Sequence, residues 1–224
     1  GCLSPHLVTF EVLDEDGAGP AMAVGSDISR DLAPFEIGTM AQVDCVAASV
    51  RTAMASAGLD APSEVHFVQI KCPLLTKDRM MTSQKPVATT DTLISMGLSR
   101  GASALGVAVA LGEIDLAAAE KALGNGDKNI WSSRASTSAG VELMGHEVIV
   151  LGMSAAWCGP LIVDHAVMSD AIDTVPVDAA MKRLGIGEDS KLRALFAKAE
   201  ASSSGRIRGQ RHTMLDDSDV SSTR

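Results

Sequence analysis

Lys71, Arg100 and Ser138 are the residues whose types could do chemistry together. A serine hydroxyl is a weak nucleophile until a base removes its proton. A lysine can be that base when burial or neighbouring cations lower its pKa. An arginine can hold a planar, electron-rich carbonyl through a forked pair of hydrogen bonds. Lys71 closes an apolar run, VHFVQIK; Arg100 follows 29 residues later in SMGLSR; and Ser138 lies in SAGVE. The small residues after Ser138 let backbone N–H groups approach a carbonyl closely.

Part of this set recurs. Met40–Lys71 and Met168–Lys198 each run from a Met through a helical stretch containing Ala-Met, then a Gly with an aliphatic neighbour and an acidic turn, to an apolar run ending in Lys. Arg224 follows Lys198 by 26 residues, again in a Ser-containing setting. A unit this long suits a duplicated domain, not a solenoid. Each residue also has a plainer reading: Ser138 as a loop residue in a Ser-rich stretch, and Lys71 as a solvated charge at a strand end. His6, His66, His146, His165 and His212 read as packing or surface residues, and the methionines as core filler. The recurrence favours the chemical reading of Lys and Arg, because surface charges need not survive duplication in register.

Positioning these groups needs a core. Of the 224 residues, 46% are hydrophobic but only 3% aromatic, with no Tyr, so the core must come from Ala, Val, Leu, Ile and Met. A net charge of −9 argues against a nucleic-acid partner, since phosphate neutralisation needs a Lys/Arg surplus. No apolar run is expected to reach the roughly 18 residues of a membrane span. With no signal-peptide pattern, the chain reads as cytoplasmic. Cys2, Cys45, Cys72 and Cys158 form no CxxC pair and read as reduced thiols. The chain opens at Gly1 without Met and closes on Arg224, which reads as a piece of a longer protein.

Alternation predicts a strand over His6–Leu13, and turn residues predict a connector over Asp14–Pro20. Helical spacing covers Ala41–Ala57, with Gly58 as its stop. Val65–Ile70 reads as the strand delivering Lys71, with Pro73 breaking the ladder. Thr89–Leu98 reads as loop or short helix, Gly101–Leu111 as helix, and Leu116–Leu123 as a helix ended by Gly124. Asn129–Gly140 is a Ser-rich stretch and Glu147–Leu151 a β-branched strand. Asp164–Leu184 reads as mainly helical, interrupted near Pro176, and Leu192–Ala197 as a second Lys-delivering strand. Asp216–Thr223 is polar. The predicted class is α+β, with a sheet covered by helices on one face.

Several strings resemble the ring-opening amidohydrolases, the family of cyanuric acid hydrolase and barbiturase. They are GCLSPH at the start, VHFVQIKCPLLT, TTDTLISMGLSRGASALG, SSRASTSAGVEL, HAVMSDAID, FAKAEAS and GQRHTMLDDSDVSSTR. The resemblance covers nearly the whole chain. It implies homologous sheet-plus-helix repeat units around a pseudo-threefold axis, incomplete here. Residues 1–20 would end a first unit, 21–160 would form a complete second, and 161–224 a truncated third.

It also implies roles. Ser138 would be the nucleophile and Lys71 its base. Arg100, Ser138, Ala139 and Arg224 would bind ring carbonyls. Lys198 would be the third unit's lysine, and Val220 or Ser222 would tune specificity. Glu200 would ligate a structural Mg²⁺, with no cofactor required for the chemistry. The implied reaction opens cyanuric acid to carboxybiuret, which loses CO₂ to give biuret. Barbituric acid is the alternative substrate, and a non-catalytic small-molecule-binding domain the alternative class. A small cyclic imide is the implied partner, in a homotetramer, with neither nucleic acid nor membrane. Lacking the first unit's motifs and the third unit's serine, the isolated chain is expected to be inactive.

Overall fold

The computed structural model describes residues 8–14, 16–125, 129–186, 191–197 and 206–211. Two compact units divide it: Gly17–Val163, and Gly1–Asp16 with Asp164–Arg224.

The first of these units is built on a four-stranded sheet in the order β1-β4-β2-β3. Its strands are β1 (Ala21–Ile28), β2 (Val65–Pro73), β3 (Ala135–Gly140) and β4 (Glu147–Ser154). β4 runs antiparallel to β1 and β2, and β3 runs parallel to β2. The sheet is mixed, and α1 (Met40–Ser56) and α3 (Thr92–Ala110) cover one face, as the α+β expectation required. The short α2 (Lys77–Met81) follows β2, and α4 (Leu116–Asn125) packs beside α3.

Alternation along the strands decides which side chains go inside. Ala23, Val68, Ile70, Cys72, Val148 and Val150 turn toward the helices and meet Val46, Val50, Ala53, Val107 and Leu111. No Phe lies in this core, so small aliphatic residues let the helices come close. A Cβ on Gly25 would overlap the Ala53 carbonyl oxygen of α1. A Cβ on Gly106 would lie 2.6 Å from Val46 Cβ, where α3 crosses α1.

Several expectations change. Residues 8–13 are not a strand, and β1 lies further on, at Ala21–Ile28. α1 and its stop at Gly58 (φ +62°) match the spacing. β2 runs through Lys71 to Pro73, which pairs with Gly140 as its last residue. Thr92–Ala110 is one helix: Asp91 caps it by accepting the Leu93 and Ile94 N–H groups at 2.8 and 3.0 Å. α4 passes Gly124. The Ser-rich stretch ends in β3, a strand that pairing with β2 creates despite low local propensity.

α3 also corrects the expectation about membrane spans. It is long and apolar enough to cross a bilayer by length and mean hydropathy (1.4). Its buried face carries Ser95, Ser99 and Ser103 against the rest of the unit.

In the second unit, only α5 (Val175–Arg183) is helical within 164–184. Pro176 starts this helix instead of interrupting one, its missing N–H costing nothing in a first turn. Residues 191–197 form no strand. β5 (Arg206–Ile207) and β6 (Gln210–Arg211) make a small hairpin across Arg208 and Gly209, both at positive φ. Arg183 Nε bonds Asp164 Oδ2 at 2.6 Å, and the Phe10 and Phe196 rings lie 6.3 Å apart.

Candidate active site

Lys71 and Ser138 are register partners on adjacent parallel strands, β2 and β3. Neighbouring strands stand about 4.8 Å apart, and register partners share a face. That face is the one away from the helices: Cys72 and Ala139, one step on, turn into the core. Gln69 and Ser136, one pair back on the Lys71 face, are hydrogen-bonded at 2.8 Å. Lys71 and Ser138 are both half-buried.

The edge position of β3 adds a donor. The Val68 N–H bonds the Arg134 carbonyl at 2.9 Å. From there, the alternation of a parallel ladder directs even-numbered β3 residues at β2 and the Ala139 N–H off the outer edge.

Arg100 arrives on α3, from the helix side. Its helix is stapled to the end of β2 by serines four residues apart. Ser99 Oγ donates to the Pro73 carbonyl at 2.6 Å, and Ser95 Oγ accepts the Leu75 N–H at 3.1 Å. Ser99 Oγ also accepts from Gln42 Nε2 at 2.8 Å, and Ser103 Oγ lies 3.0 Å from the same nitrogen. Cys72 lies among these groups. Burial raises its thiol pKa, opposed by hydrogen bonds with Ser99 and Ser103 and by the charges of Arg100 and Lys71. Cys72 Sγ also donates to the Ser138 carbonyl at 3.3 Å. The Arg100 and Lys71 charges thus both act on the Cys72 thiol, Arg100 from the helix side of the sheet, with Lys71 and Ser138 on the opposite face.

The charge facing Lys71 differs from the expected neighbouring cation. Glu142 Oε1 is 3.1 Å from Lys71 Nζ, and Glu147 stands opposite Lys71 in the β4 register. Sequence reasoning passed over Glu142 although it lies four residues after Ser138. It also passed over the Ser95–Ser99–Ser103 spacing, whose helical period marks a buried polar stripe. His146 is a packing residue, fully buried between Ser29 and Gln42. Lys198, Glu200, Val220, Ser222 and Arg224 lie outside the described residues.

A mixed sheet with a lysine and a serine paired across parallel strands is the setting in which similarity to known proteins becomes informative. The family model described as amidohydrolase ring-opening protein matches residues 1–224, and the chain belongs to this family. Among its relatives, a cyanuric acid amidohydrolase of Azorhizobium caulinodans is 55% identical over 230 residues, covering 100% of this chain. Another, from Rhizobium johnstonii, is 53% identical over 229 residues, again covering 100% of the chain. The chain spans 64% of the length of each. The crystal structure of cyanuric acid hydrolase from A. caulinodans superimposes with a TM-score of 0.78 at 51% identity, covering 92% of this chain and 60% of that one. A second cyanuric acid hydrolase structure, described as evolutionary innovation by structural concatenation, gives 0.82 at 44% identity, covering 94% and 60%.

Proposed function

We propose that this chain carries the Ser–Lys half-site of a hydrolase that opens cyclic imides by cleaving a ring C–N bond, with cyanuric acid as substrate. The observation that carries the proposal is the register pairing of Lys71 with Ser138 on one face of adjacent strands. The names of its relatives supply the substrate class.

Neutral Lys71 takes the Ser138 proton as Ser138 Oγ attacks a ring carbonyl carbon. The carbonyl oxygen becomes an oxyanion, which the Ala139 N–H stabilises. Collapse breaks the C–N bond, and the leaving nitrogen takes the proton from Lys71. Water, deprotonated in the same way, releases the acyl group from Ser138 as carboxybiuret, which loses CO₂ to give biuret. Arg100 holds a second ring carbonyl with its planar fork, so lysine would not replace it. The substrate-binding role of Arg224, the third-unit lysine Lys198 and the specificity role of Val220 or Ser222 belong to the same reading. A structural Mg²⁺ at Glu200, a cytoplasmic homotetramer and the pseudo-threefold arrangement belong to the same reading.

Biuret release from cyanuric acid tests it, with barbituric acid alongside, in a protein of the relatives' full length containing this sequence. Ser138→Ala and Lys71→Ala are each expected to lower turnover by at least about 10²-fold. Turnover unchanged in either variant would sink the Ser–Lys assignment. Activity on barbituric acid alone would replace the substrate.

A further inference from the structure

The turn after β3 carries a carboxylate that the reaction above does not use. Three features hold Glu142 at its 3.1 Å approach to Lys71 Nζ. Its own backbone N–H bonds the carboxylate and, with Lys71, lowers its pKa. Gly140 leaves the necessary space, since a Cβ there would overlap the Glu142 carboxylate. Arg79 fixes the turn from outside: Nη2 donates to the Val141 and Leu143 carbonyls, on either side of Glu142, at 2.9 and 2.7 Å. Arg79 Nη1 donates to the Leu74 carbonyl at 2.6 Å, three residues beyond Lys71. One guanidinium thus ties the Glu142 turn to the end of the lysine strand. Exposed ion pairs are weak chiefly because two long side chains must be ordered. Here the carboxylate partner is already placed.

We propose that Glu142 is a positioning residue that holds the Lys71 ammonium beside Ser138, on a turn that Arg79 clamps to the end of β2. The Glu142 carboxylate draws the Lys71 side chain toward the turn after β3 and so orients Nζ on the Ser138 face of the sheet. Glu147 stands beside Lys71 in the β4 register, and the Cys72 thiol, which also feels the Arg100 charge, turns to the opposite face. The catalytic meaning rests on the Ser138–Lys71 reading, whereas the positioning does not.

Competitive acetylation of this chain with acetic anhydride, followed peptide by peptide by mass spectrometry across alkaline pH, reads Lys71 directly without turnover. Glu142→Gln is expected to raise Lys71 labelling at fixed pH about two- to fivefold by freeing the amine from its ion pair. Glu147→Gln should move it less, and Arg79→Lys, which cannot span three carbonyls, should move it part of the way. Unchanged labelling of the other lysines reports an intact fold. Lys71 labelling equal in parent and Glu142→Gln would overturn the proposal, as would an equal effect from Glu147→Gln. A labelling shift found alongside full turnover in Ser138→Ala would keep the positioning role and reject the Ser–Lys reaction.

Discussion

Lowering the pH should destabilise this fold through one buried histidine, and the size of the effect follows from its surroundings. His146 is fully buried at the entry to β4. Gln42 Oε1 accepts the Gly38 N–H at 2.6 Å, so Gln42 Nε2 is the end that faces His146 Nε2, at 3.1 Å. The imidazole must then accept at Nε2 and carry its proton on Nδ1, toward Ser29 Oγ at 3.2 Å. A second proton would set two donors against each other. Desolvation, with the Arg30 charge second, lowers the His146 pKa from 6.5 to about 4. Above pH 6.5 neither the folded nor the unfolded imidazole is charged, and stability is flat in this group. As the pH falls from there, the unfolded chain binds a proton that the folded chain does not, so stability is lost until the folded imidazole protonates near pH 4. The loss is about 2 kcal/mol by pH 5 and about 3 kcal/mol at its limit. Urea unfolding followed by Trp131 and Trp157 fluorescence would measure it in parent and His146→Gln. The stability difference between the two should shrink by about 2 kcal/mol from pH 7.5 to pH 5. A difference constant across that range would refute the reasoning.

Two glycines of α3 should respond to alanine with opposite signs. Gly97→Ala meets no atom within 4 Å and should stabilise by about 0.5–1 kcal/mol through helix propensity. Gly106→Ala meets Val46 Cβ at 2.6 Å and the Val43 carbonyl at 2.8 Å, so overpacking of about 1–3 kcal/mol should exceed that gain. Urea midpoints would compare them, and a stabilising Gly106→Ala would contradict the close α1–α3 contact. Ser99→Ala strips the Pro73 carbonyl of its buried donor and should cost about 1–3 kcal/mol by the same measurement. A cost near zero would mean that Ser99 does not staple α3 to β2.

The chain's spacing determined a good deal. Ala, Val and Ile at helical and alternating intervals required an α+β unit with a small-residue core, and α1, β2 and β4 follow from that periodicity. Lys71 at the end of an apolar strand was legible for the same reason. What spacing could not express was pairing. β3 is a run of Ala, Ser, Thr and Gly with little strand propensity, and it becomes a strand only because β2 offers it a ladder. That ladder sets Ser138 beside Lys71, 67 positions away in sequence. Arg100 fell between a stretch read as loop or short helix and a second helix, yet it lies within one continuous helix whose serines are bonded to the end of β2. The run before Lys198 resembled its counterpart before Lys71 as an apolar stretch closed by a lysine. Residues 191–197 nevertheless form no strand among the described residues, because a period of two specifies a face and only a partner's N–H and C=O groups specify a strand. Glu142 shows the same division. Its identity is local, but its meeting with Lys71 depends on Gly140 making room and on Arg79 closing three carbonyls from two segments. Sequence fixes which groups are available, and tertiary structure decides which of them meet, since hydrogen bonds and charges act over a few ångströms while the chain separates their owners by tens of residues.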